Sequence, residues 1–499
     1  MPGHPVAAPA PLASIDEYYA QRVRWQPCAD RPEADCGDLR LPVDYAHPAQ
    51  LAITMPLIRL RATAPGQRLG VLTMNPGGPG ESGYQQVLDA LDTSDTGLRR
   101  FRSRYDLIGF DPRGVGRTAG VRCLDDAATD SYYATDFTPS TPAQLSEVAA
   151  AHRRYATACL RNTGSLLRFV GTEYAAKDMD ILRSALGEEK LNYLGFSYGS
   201  RLGLYYAEEF GDRVGRMLLD SIDDPADSTD RWDFEEFGRS PTATPLSTRD
   251  QVVYDMLSSC ATRPGCPLGT DAAAAMSDLR ALIDTIDAAP LPVDDGRRLG
   301  SNLALLGLFE ATYDSSYQQR FERAVVAARR GDGTPLAELA DRYVGRGADG
   351  RFSSTDPAFW AIQCANDDPA TYRSKSEDEI MAELRRVADY YAVPGPLFGA
   401  NRVFSTPLCL FWPVPPTRAS TAVTARGAPT IVLVNNTDDP ATPLSDAENV
   451  ADTLADAVLV VNEHGGHIAF DNGSECVDEM VLAYFFDGRV PARGTRCRD

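Results

Sequence analysis

Short apolar runs bounded by turn residues recur along the first 225 residues and again near the C-terminus. Runs of this kind are typical of buried strands. We therefore predict strands at 51–60, 70–75, 105–110, 191–196, 217–221, 429–435 and 457–462. Helical patterns lie between them, such as 175–186, which Gly187 ends as a predicted C-cap. The alternation predicts an α/β fold, with a mainly parallel sheet covered by helices on both faces.

The pattern changes between residues 226 and 426. This stretch is rich in Ala, Arg and Asp, has mostly helical periodicity, and contains no convincing buried strand. The residues that follow it are too few to form an α/β core of their own. We therefore predict one α/β core made of residues 1–225 and 427–499, interrupted by a mainly helical cap at 226–426.

Acidic residues outnumber basic ones in this chain of 499 residues, with 70 Asp and Glu against 49 Lys and Arg. The formal net charge of −21 argues against nucleic acid as a partner, because affinity for phosphate backbones comes from clustered Lys and Arg. No apolar run approaches the roughly 18 residues that a membrane-spanning helix needs, so we expect no membrane partner. Nothing in the pattern indicates an oligomeric state.

Ten cysteines are dispersed along the chain without CxxC pairs or zinc-finger spacing. An even, dispersed set favours disulfides and an oxidising compartment over the unpaired thiols of a cytosolic enzyme. Short separations suggest three pairs and leave the full connectivity open: Cys28–Cys36, Cys260–Cys266 and Cys476–Cys497. The first residues lack the basic segment and apolar run of a signal peptide, so we expect the mature chain of a secreted protein.

The segment Gly195-Phe196-Ser197-Tyr198-Gly199 directly follows a predicted strand and begins a predicted amphipathic helix. A bare G-x-S-x-G pattern is a weak signal, but this strand–turn–helix context is what a nucleophile elbow requires. The tight turn would raise the serine hydroxyl above the sheet, and the flanking glycines would let strand and helix pass closely. We predict Ser197 as a catalytic nucleophile rather than as part of an ordinary glycine-rich turn.

A serine nucleophile needs a general base, and the base needs a carboxylate that orients it. Only two of the five histidines, His464 and His467, follow the predicted cap. We favour His467, which follows a glycine pair and precedes an apolar segment, and interpret His464 as a neighbouring loop residue. The acid is expected after the strand at 429–435, where Asp438 and Asp439 are both candidates and Asp439 is preferred.

The oxyanion of the transition state needs fixed N–H donors. One is expected from the backbone of Tyr198, the residue after the nucleophile. The second is expected from the glycine-rich loop at 75–80, in which Pro76 and Pro79 have no N–H group. Gly77 and Gly78 remain as candidates, and Gly78 is preferred. A phosphate-binding loop is the alternative interpretation, but no GK[ST] follows and the chain is acidic.

Four motifs carry a resemblance to a known family: NPGGPGESG, YDLIGFDPRGVGRT, LNYLGFSYGSRLGLYYAEEF, and DPATP followed by GGH. In these motifs the chain resembles the secreted actinobacterial tripeptidyl-aminopeptidase-like hydrolases, which are similar to the prolyl aminopeptidases of the α/β-hydrolase superfamily. The resemblance implies a serine exopeptidase whose helical cap admits free peptide N-termini. It also implies Ser197 as nucleophile, Asp439 as acid and His467 as base. Glu81 departs from the family pattern, in which a small residue is more usual.

An aminopeptidase must bind a cationic α-amino group, which calls for carboxylates near the cleft. The candidates are Glu81 beside the glycine-rich loop and four cap acids, and for each the alternative is a solvated surface acid: Glu235, Glu236, Asp367 and Asp368. The expected substrate is a peptide with a free N-terminus, and this chemistry needs no metal or organic cofactor. An esterase or lactonase with the same triad is the alternative function, and a non-catalytic binding protein on a hydrolase scaffold is a third hypothesis.

Overall fold

The computed structural model describes residues 9–92, 97–226, 245–313, 317–366, 375–392, 395–418 and 421–498. Within these residues, ten strands form one large sheet and two short strands form a separate ladder. In chain order the strands are β1 (Gln26–Pro27), β2 (Asp35–Pro42), β3 (Ala52–Leu60), β4 (Gly70–Asn75), β5 (Tyr105–Phe110), β6 (Leu191–Phe196), β7 (Val214–Asp220), β8 (Leu291–Pro292), β9 (Arg298–Leu299), β10 (Ile431–Asp438), β11 (Ala457–Gly465) and β12 (Arg496–Cys497).

The large sheet has the order β1-β2-β3-β5-β4-β6-β7-β10-β11-β12. The pairs β1–β2, β2–β3 and β3–β5 are antiparallel. All pairs from β5 to β12 are parallel, which confirms the predicted mainly parallel sheet. Because parallel strands share one carboxyl edge, the loops that follow β4, β6, β7, β10 and β11 come together at that edge.

Most residues of the strands predicted from the sequence are buried. Every residue of β4 and β5 is buried. Neighbouring residues of β6 belong to apolar clusters on opposite faces, Tyr193 to one and Leu194 to the other. The sequence analysis does not predict β2, whose residues DCGDLRLP mix charged and apolar side chains because the strand lies near the sheet edge and is partly exposed.

Helices cover both faces of this sheet. In chain order the α-helices are α1 (Ile15–Tyr19), α2 (Gly83–Asp89), α3 (Gly97–Phe101), α4 (Asp126–Tyr133), α5 (Pro142–Thr163), α6 (Thr172–Leu186), α7 (Tyr198–Glu209), α8 (Pro245–Ala261), α9 (Ala272–Ala288), α10 (Ser301–Glu310), α11 (Gln318–Arg329), α12 (Thr334–Tyr343), α13 (Thr355–Asn366), α14 (Glu377–Tyr391), α15 (Gly399–Ser405), α16 (Leu444–Thr453) and α17 (Glu475–Asp487). Buried residues of α6 and α7 join one apolar cluster, and those of α2, α3 and α17 join the other. As predicted, α6 ends at Gly187, whose φ of 79° is the left-handed conformation of a glycine C-cap.

A mainly helical segment separates β7 from β10. Its described residues form α8 to α15 and the short antiparallel ladder of β8 with β9. The predicted helical insertion into an α/β core is thereby confirmed, while the residues at which core and cap meet, 225/226 and 426/427, stay a prediction. No helix in the described part of the chain is long and apolar enough to cross a membrane.

All ten cysteines lie in described residues, and none is free. Three disulfides join the pairs that short separation suggests, Cys28–Cys36, Cys260–Cys266 and Cys476–Cys497. The other two, which the sequence leaves open, are Cys123–Cys159 and Cys364–Cys409. Since Cys364 lies on α13 and Cys409 follows α15, the last pair ties two parts of the helical segment together.

Candidate active site

Ser197 stands at the sharp turn between β6 and α7. Its backbone has φ 55° and ψ −124°, a combination that non-glycine residues rarely adopt and that stores strain. The turn is held by the Ser197 N–H, which donates to the Asp220 carbonyl oxygen at 2.9 Å. A Cβ on Gly195 would lie 2.4 Å from the Gly199 carbonyl oxygen, and a Cβ on Gly199 would lie 2.5 Å from that of Asn75. Close packing therefore requires both glycines, as a nucleophile elbow predicts.

The loop after β4 packs directly against this turn. A Cβ on Gly77, whose φ is +105°, would lie 2.5 Å from the Phe196 carbonyl oxygen and 2.9 Å from the Cβ of the serine. The Gly77 N–H already donates to the Asn75 side-chain oxygen at 3.0 Å. Gly78 therefore stays the preferred donor from this loop, and the N–H of Tyr198, at the start of α7, stays the predicted second donor.

Asp439 and His467 form a hydrogen-bonded pair at the carboxyl edge of the sheet. The His467 Nδ1 lies 2.9 Å from both carboxylate oxygens of Asp439. The carboxylate also accepts from the Ser221 hydroxyl at 2.8 Å and from the N–H groups of Ala441 and Thr442, each at 2.9 Å. These contacts fix the carboxylate against Nδ1 of the imidazole, which leaves Nε2 for proton transfer.

Within this pair, the pKa of each residue shifts in the direction that favours its charged form. Burial alone would raise the pKa of Asp439, but the charge and hydrogen bond of His467, together with backbone N–H donors, outweigh burial and lower it. Burial alone would lower the pKa of His467, but the Asp439 carboxylate, aided by Asp220 and Asp223, raises it. A base that becomes an imidazolium during the reaction is stabilised by such surroundings.

Asp220 is a further residue of the site, which the sequence analysis does not identify. Its carbonyl oxygen holds the Ser197 N–H, while its fully buried carboxylate accepts the N–H of Ala469 at 3.1 Å and of Phe470 at 2.8 Å. One residue thereby joins the serine turn to the loop of His467. Burial raises the pKa of Asp220 to about 6. The available signal is an aspartate at the carboxyl end of the strand predicted at 217–221.

Residues of the helical segment contact the site on two sides. The carbonyl oxygen of Tyr313, just after α10, accepts a hydrogen bond from the backbone N–H of His467 at 3.3 Å. The Tyr313 ring meets the imidazole edge-on, with centroids 5.5 Å apart. On the other side, a Cβ on Gly80 would lie 2.4 Å from the Thr355 carbonyl oxygen at the start of α13. The helical segment therefore packs against both the histidine and the glycine-rich loop.

The alternative candidates for acid and base are placed elsewhere. Asp438 is exposed, and the His464 Nδ1 lies 2.6 Å from the carbonyl oxygen of its neighbour Gly465. His152 precedes the predicted cap and is not among these candidates. It is buried, with its Nε2 2.8 Å from the Phe404 carbonyl oxygen, and burial lowers its pKa to about 4. These contacts favour His467 and Asp439 as the catalytic pair.

The structure brings the predicted residues together unequally. Asp439 and His467 are bonded directly, whereas no hydrogen bond joins Ser197 to His467 in the described residues. Contacts of this kind are often long before substrate binds. The catalytic roles of all three residues therefore stay predictions, which this arrangement supports.

Only one of the five predicted amine-binding acids lies in the described residues. Glu81 is exposed beside the glycine-rich loop, and the surrounding protein desolvates its carboxyl enough to raise its pKa. The other four lie outside the described residues: Glu235, Glu236, Asp367 and Asp368. Within the described part of the chain, no group of three or more His, Cys, Asp or Glu side chains is placed to hold a metal ion.

Two family models match the segments that carry this site. Residues 70–244, which include the glycine-rich loop and the serine elbow, match the model for the alpha/beta hydrolase fold. Residues 395–497, which include the acid and the histidine, match the model for TAP-like protein. The protein is therefore an α/β hydrolase.

Curated relatives narrow this class. The chain is 34% identical over 496 residues to serine protease Hip1 of Mycobacterium tuberculosis, covering 96% of this chain and 91% of the relative. It is 36% identical over 521 residues to carboxylesterase B of the same species, covering 99% and 95%. It is 29% identical over 508 residues to tripeptidyl aminopeptidase of Streptomyces lividans, covering 98% and 88%. The chain belongs to this family of TAP-like α/β hydrolases.

Proposed function

We propose that the protein is a serine exopeptidase that releases short peptides or single residues from the free N-terminus of a peptide. The observation that carries this proposal is the Asp439–His467 pair, held at the same sheet edge as a serine on a nucleophile elbow. Relatives named serine protease and tripeptidyl aminopeptidase support peptide hydrolysis over other reactions of the fold.

The proposed reaction is a two-step acyl transfer. Nε2 of His467 takes the Ser197 hydroxyl proton while Oγ bonds to the carbonyl carbon of the scissile peptide. The carbonyl π electrons move to oxygen, and the resulting oxyanion accepts N–H bonds from Gly78 and Tyr198. When the tetrahedral intermediate collapses, the C–N bond breaks and the imidazolium gives its proton to the leaving amine. A water molecule, deprotonated by His467, then hydrolyses the acyl-enzyme and restores the serine.

The surroundings of the pair suit this sequence of charges. Asp439 stays ionised because its pKa is lowered, so it stabilises the imidazolium that forms in each step. The raised pKa of His467 means that this imidazolium is favoured over the neutral ring more than in free histidine. The pair is thus arranged to accept and return a proton without further movement of the acid.

Exopeptidase action requires recognition of the substrate ammonium group. Of the five candidate acids, Glu81 is the one among the described residues, and it fits this role because it directly follows the glycine-rich loop, where the surrounding protein desolvates its carboxyl and raises its pKa. A cationic amine beside this carboxylate would replace the hydration that the protein removes. The packing of Tyr313 and α13 over the site supports restricted access, which favours chain ends over the middle of a polypeptide.

The cellular location proposed is outside the cytoplasm. Five disulfides involving all ten cysteines support an oxidising compartment, since such bonds rarely persist in the cytosol. Secretion of the mature chain is the simplest account of this chemistry. Alkylation without a reducing agent, on the native and on the denatured protein, would test it, because a protein purified from an oxidising compartment should show no reactive thiol.

Esterase activity is the second candidate function. It is favoured by one observation, the 36% identity to a relative named carboxylesterase B. The same serine, base and oxyanion donors would hydrolyse an ester, so the triad does not separate the two functions. The difference must come from how the acyl and leaving groups are bound.

Three substrate types distinguish the two functions. A series of peptide amides with free N-termini, the same peptides with acetylated N-termini, and simple aryl esters should be assayed in parallel, with a fluorophosphonate probe to label the serine. The proposal expects rapid cleavage of the free peptides and little of the blocked ones. Turnover of blocked peptides and esters without turnover of free peptides would favour the esterase. Absence of probe labelling at Ser197 would favour a non-catalytic protein.

Replacement of Glu81 tests the ammonium site within this scheme. Because a hydrogen bond to a charged group contributes about 1.5–3 kcal/mol, Glu81→Gln should raise KM for free peptides by roughly tenfold or more. Activity on acetylated peptides should change little. Glu189→Gln, a substitution of another exposed acid, is the matched control. An equal loss on free and blocked peptides would exclude Glu81 as the ammonium ligand.

A further inference from the structure

Helix α13 contacts segments that hold both proposed oxyanion donors in place. At its N-terminal end, a Cβ on Gly80 would lie 2.4 Å from the Thr355 carbonyl oxygen and 3.1 Å from the Phe359 nitrogen, so the glycine-rich loop rests on the first turn of the helix. This loop carries Gly78. A shift of α13 at this end would therefore press on the backbone that holds the first donor.

The C-terminal end of α13 reaches the second donor through one intermediate residue. The Tyr198 hydroxyl lies 2.8 Å from the Thr172 Oγ1. The Asn366 side chain contacts Thr172 twice: its Oδ1 accepts the Thr172 N–H at 3.1 Å, and its Nδ2 donates to the Thr172 Oγ1 at 2.8 Å. A chain of hydrogen bonds thus runs from the end of α13 to the residue whose N–H faces the oxyanion.

Burial makes this chain of contacts rigid. Tyr198 is 2% exposed, Thr172 is 0% exposed and Asn366 is 3% exposed. Buried polar groups that lose a partner incur a large desolvation cost, so each contact restricts the next. The two-point contact of Asn366 uses an acceptor and a donor at once, which Ala lacks and which Asp supplies only in part.

The helix itself is fixed at both ends. Near its start, the Tyr155 hydroxyl donates to the Asp356 carboxylate at 2.6 Å. Near its end, Cys364 is bonded to Cys409, and the Thr417 N–H donates to the Ala365 carbonyl oxygen at 3.4 Å. A helix of this length spans roughly 18 Å, so one rigid element connects the two sides of the oxyanion hole.

We propose that Asn366 is a positioning residue for the oxyanion hole, which it aligns through Thr172 and Tyr198. The inference rests on the assignment of Gly78 and Tyr198 as oxyanion donors in the proposed function. It adds a role for the helical segment beyond covering the site, because α13 sets the geometry in which the transition state is stabilised.

A pair of ester substrates tests this role. An aryl oxoester and its thionoester differ only in the carbonyl atom, and sulfur is a poor acceptor for oxyanion-hole N–H groups. Asn366→Ala should lower kcat for the oxoester by roughly tenfold, since small misplacements of catalytic groups have effects of this size or larger. KM should change little, and kcat for the thionoester should fall less than about twofold.

Companion variants separate alignment from folding. Thr172→Val should reproduce the loss of kcat for the oxoester, and Thr172→Ser, which keeps the hydroxyl, should retain the oxoester preference of the wild type. Asn366→Asp should be intermediate, because it keeps the acceptor for the Thr172 N–H and loses the donor. Asn401→Ala is the matched control, since Asn401 is another buried amide of the helical segment and donates to the Asn302 Oδ1 at 3.1 Å.

Four outcomes would overturn the proposal. Equal losses of kcat with both esters, an effect confined to KM, or the same change in Asn401→Ala would show that Asn366 has only a structural role. A wild-type enzyme without preference for the oxoester would overturn the oxyanion assignment and the proposal with it. Failure of the wild type on free peptides, with normal ester turnover, would overturn the exopeptidase function and leave the role of Asn366 intact.

Discussion

The α/β core and the helical segment contribute to the site in different ways. The core places its groups through backbone geometry at the ends of parallel strands, as at the turn of Ser197 and in the loops of Asp439 and His467. The helical segment contributes the ring and carbonyl of Tyr313 and the amide of Asn366, which contact core residues already in place. In the proposed mechanism the chemistry therefore belongs to the core, and its alignment and access depend on the helices.

Removal of the nucleophile should have the largest effect, because it removes a group supplied by the core. Ser197→Ala should lower kcat by roughly 10⁴-fold or more and abolish fluorophosphonate labelling. Circular dichroism and Tm should stay close to those of the wild type, since a hydroxyl is lost at a partly exposed turn. Near-normal turnover by this variant would assign the chemistry to another residue.

A backbone clash in the core should cause the second-largest loss of activity. A Cβ at position 77 would lie 2.5 Å from the Phe196 carbonyl oxygen at a φ of +105°, so Gly77→Ala must displace the loop from the serine turn. We expect kcat/KM to fall roughly 100-fold.

Gly66→Ala is the matched control, because a Cβ at Gly66 would meet nothing within 4 Å. Activity of this control should equal that of the wild type. If Gly77→Ala also kept wild-type activity, close contact between the glycine loop and the elbow would not matter for catalysis, and the contrast between backbone and side-chain contributions would fail.

The same contrast explains what the sequence can predict. The elbow is predictable because its requirements lie within five consecutive residues, 195–199, where both glycines and the serine have local steric reasons. Asp439 and His467 are only 28 residues apart and follow successive strands, so chain order and the scarcity of histidine predict this pair, and the structure brings the two side chains into contact. The parallel strands are predictable because burial on both faces selects continuous apolar runs.

Contacts between distant segments leave no such local pattern. Asp220 reaches Ala469 across 249 residues, and Asn366 reaches Thr172 across 194. An aspartate or asparagine at the end of a strand or helix also occurs for reasons of capping and solubility, so residue type alone does not mark these two. The same limit applies to Tyr313, whose role depends on how a helix after β7 folds back over the sheet.

Loss of the Tyr313 ring should have a smaller effect than either core substitution. Tyr313→Leu keeps the carbonyl oxygen that accepts the backbone N–H of His467, and it removes the edge-on contact between the tyrosine ring and the imidazole. Because aromatic pairs contribute about 0.5–1.5 kcal/mol, we expect kcat/KM to fall roughly 2- to 12-fold. Tyr390→Leu, at a tyrosine that is 52% exposed, should leave kcat/KM unchanged. A loss as large as that of Gly77→Ala would mean that the helical segment supplies a catalytic group.

The smallest expected change concerns the pH dependence set by Asp220 in the core. His467 must be neutral to act as a base, so kcat/KM should rise with pH through the pKa of His467, which Asp439 and Asp220 raise above its ordinary value. Burial raises the pKa of Asp220 to about 6, so its carboxylate is mostly ionised above that pH. Asp220→Asn removes that charge, lowers the pKa of His467 and should move the acidic limb of the profile to lower pH.

Asp212→Asn, at an exposed acid, is the control and should leave the limb in place. A limb that stays fixed in Asp220→Asn would show that the charge of Asp220 does not act on His467 and that Asp220 contributes through the N–H groups of Ala469 and Phe470. A limb that moves to higher pH would contradict the expected sign of the effect.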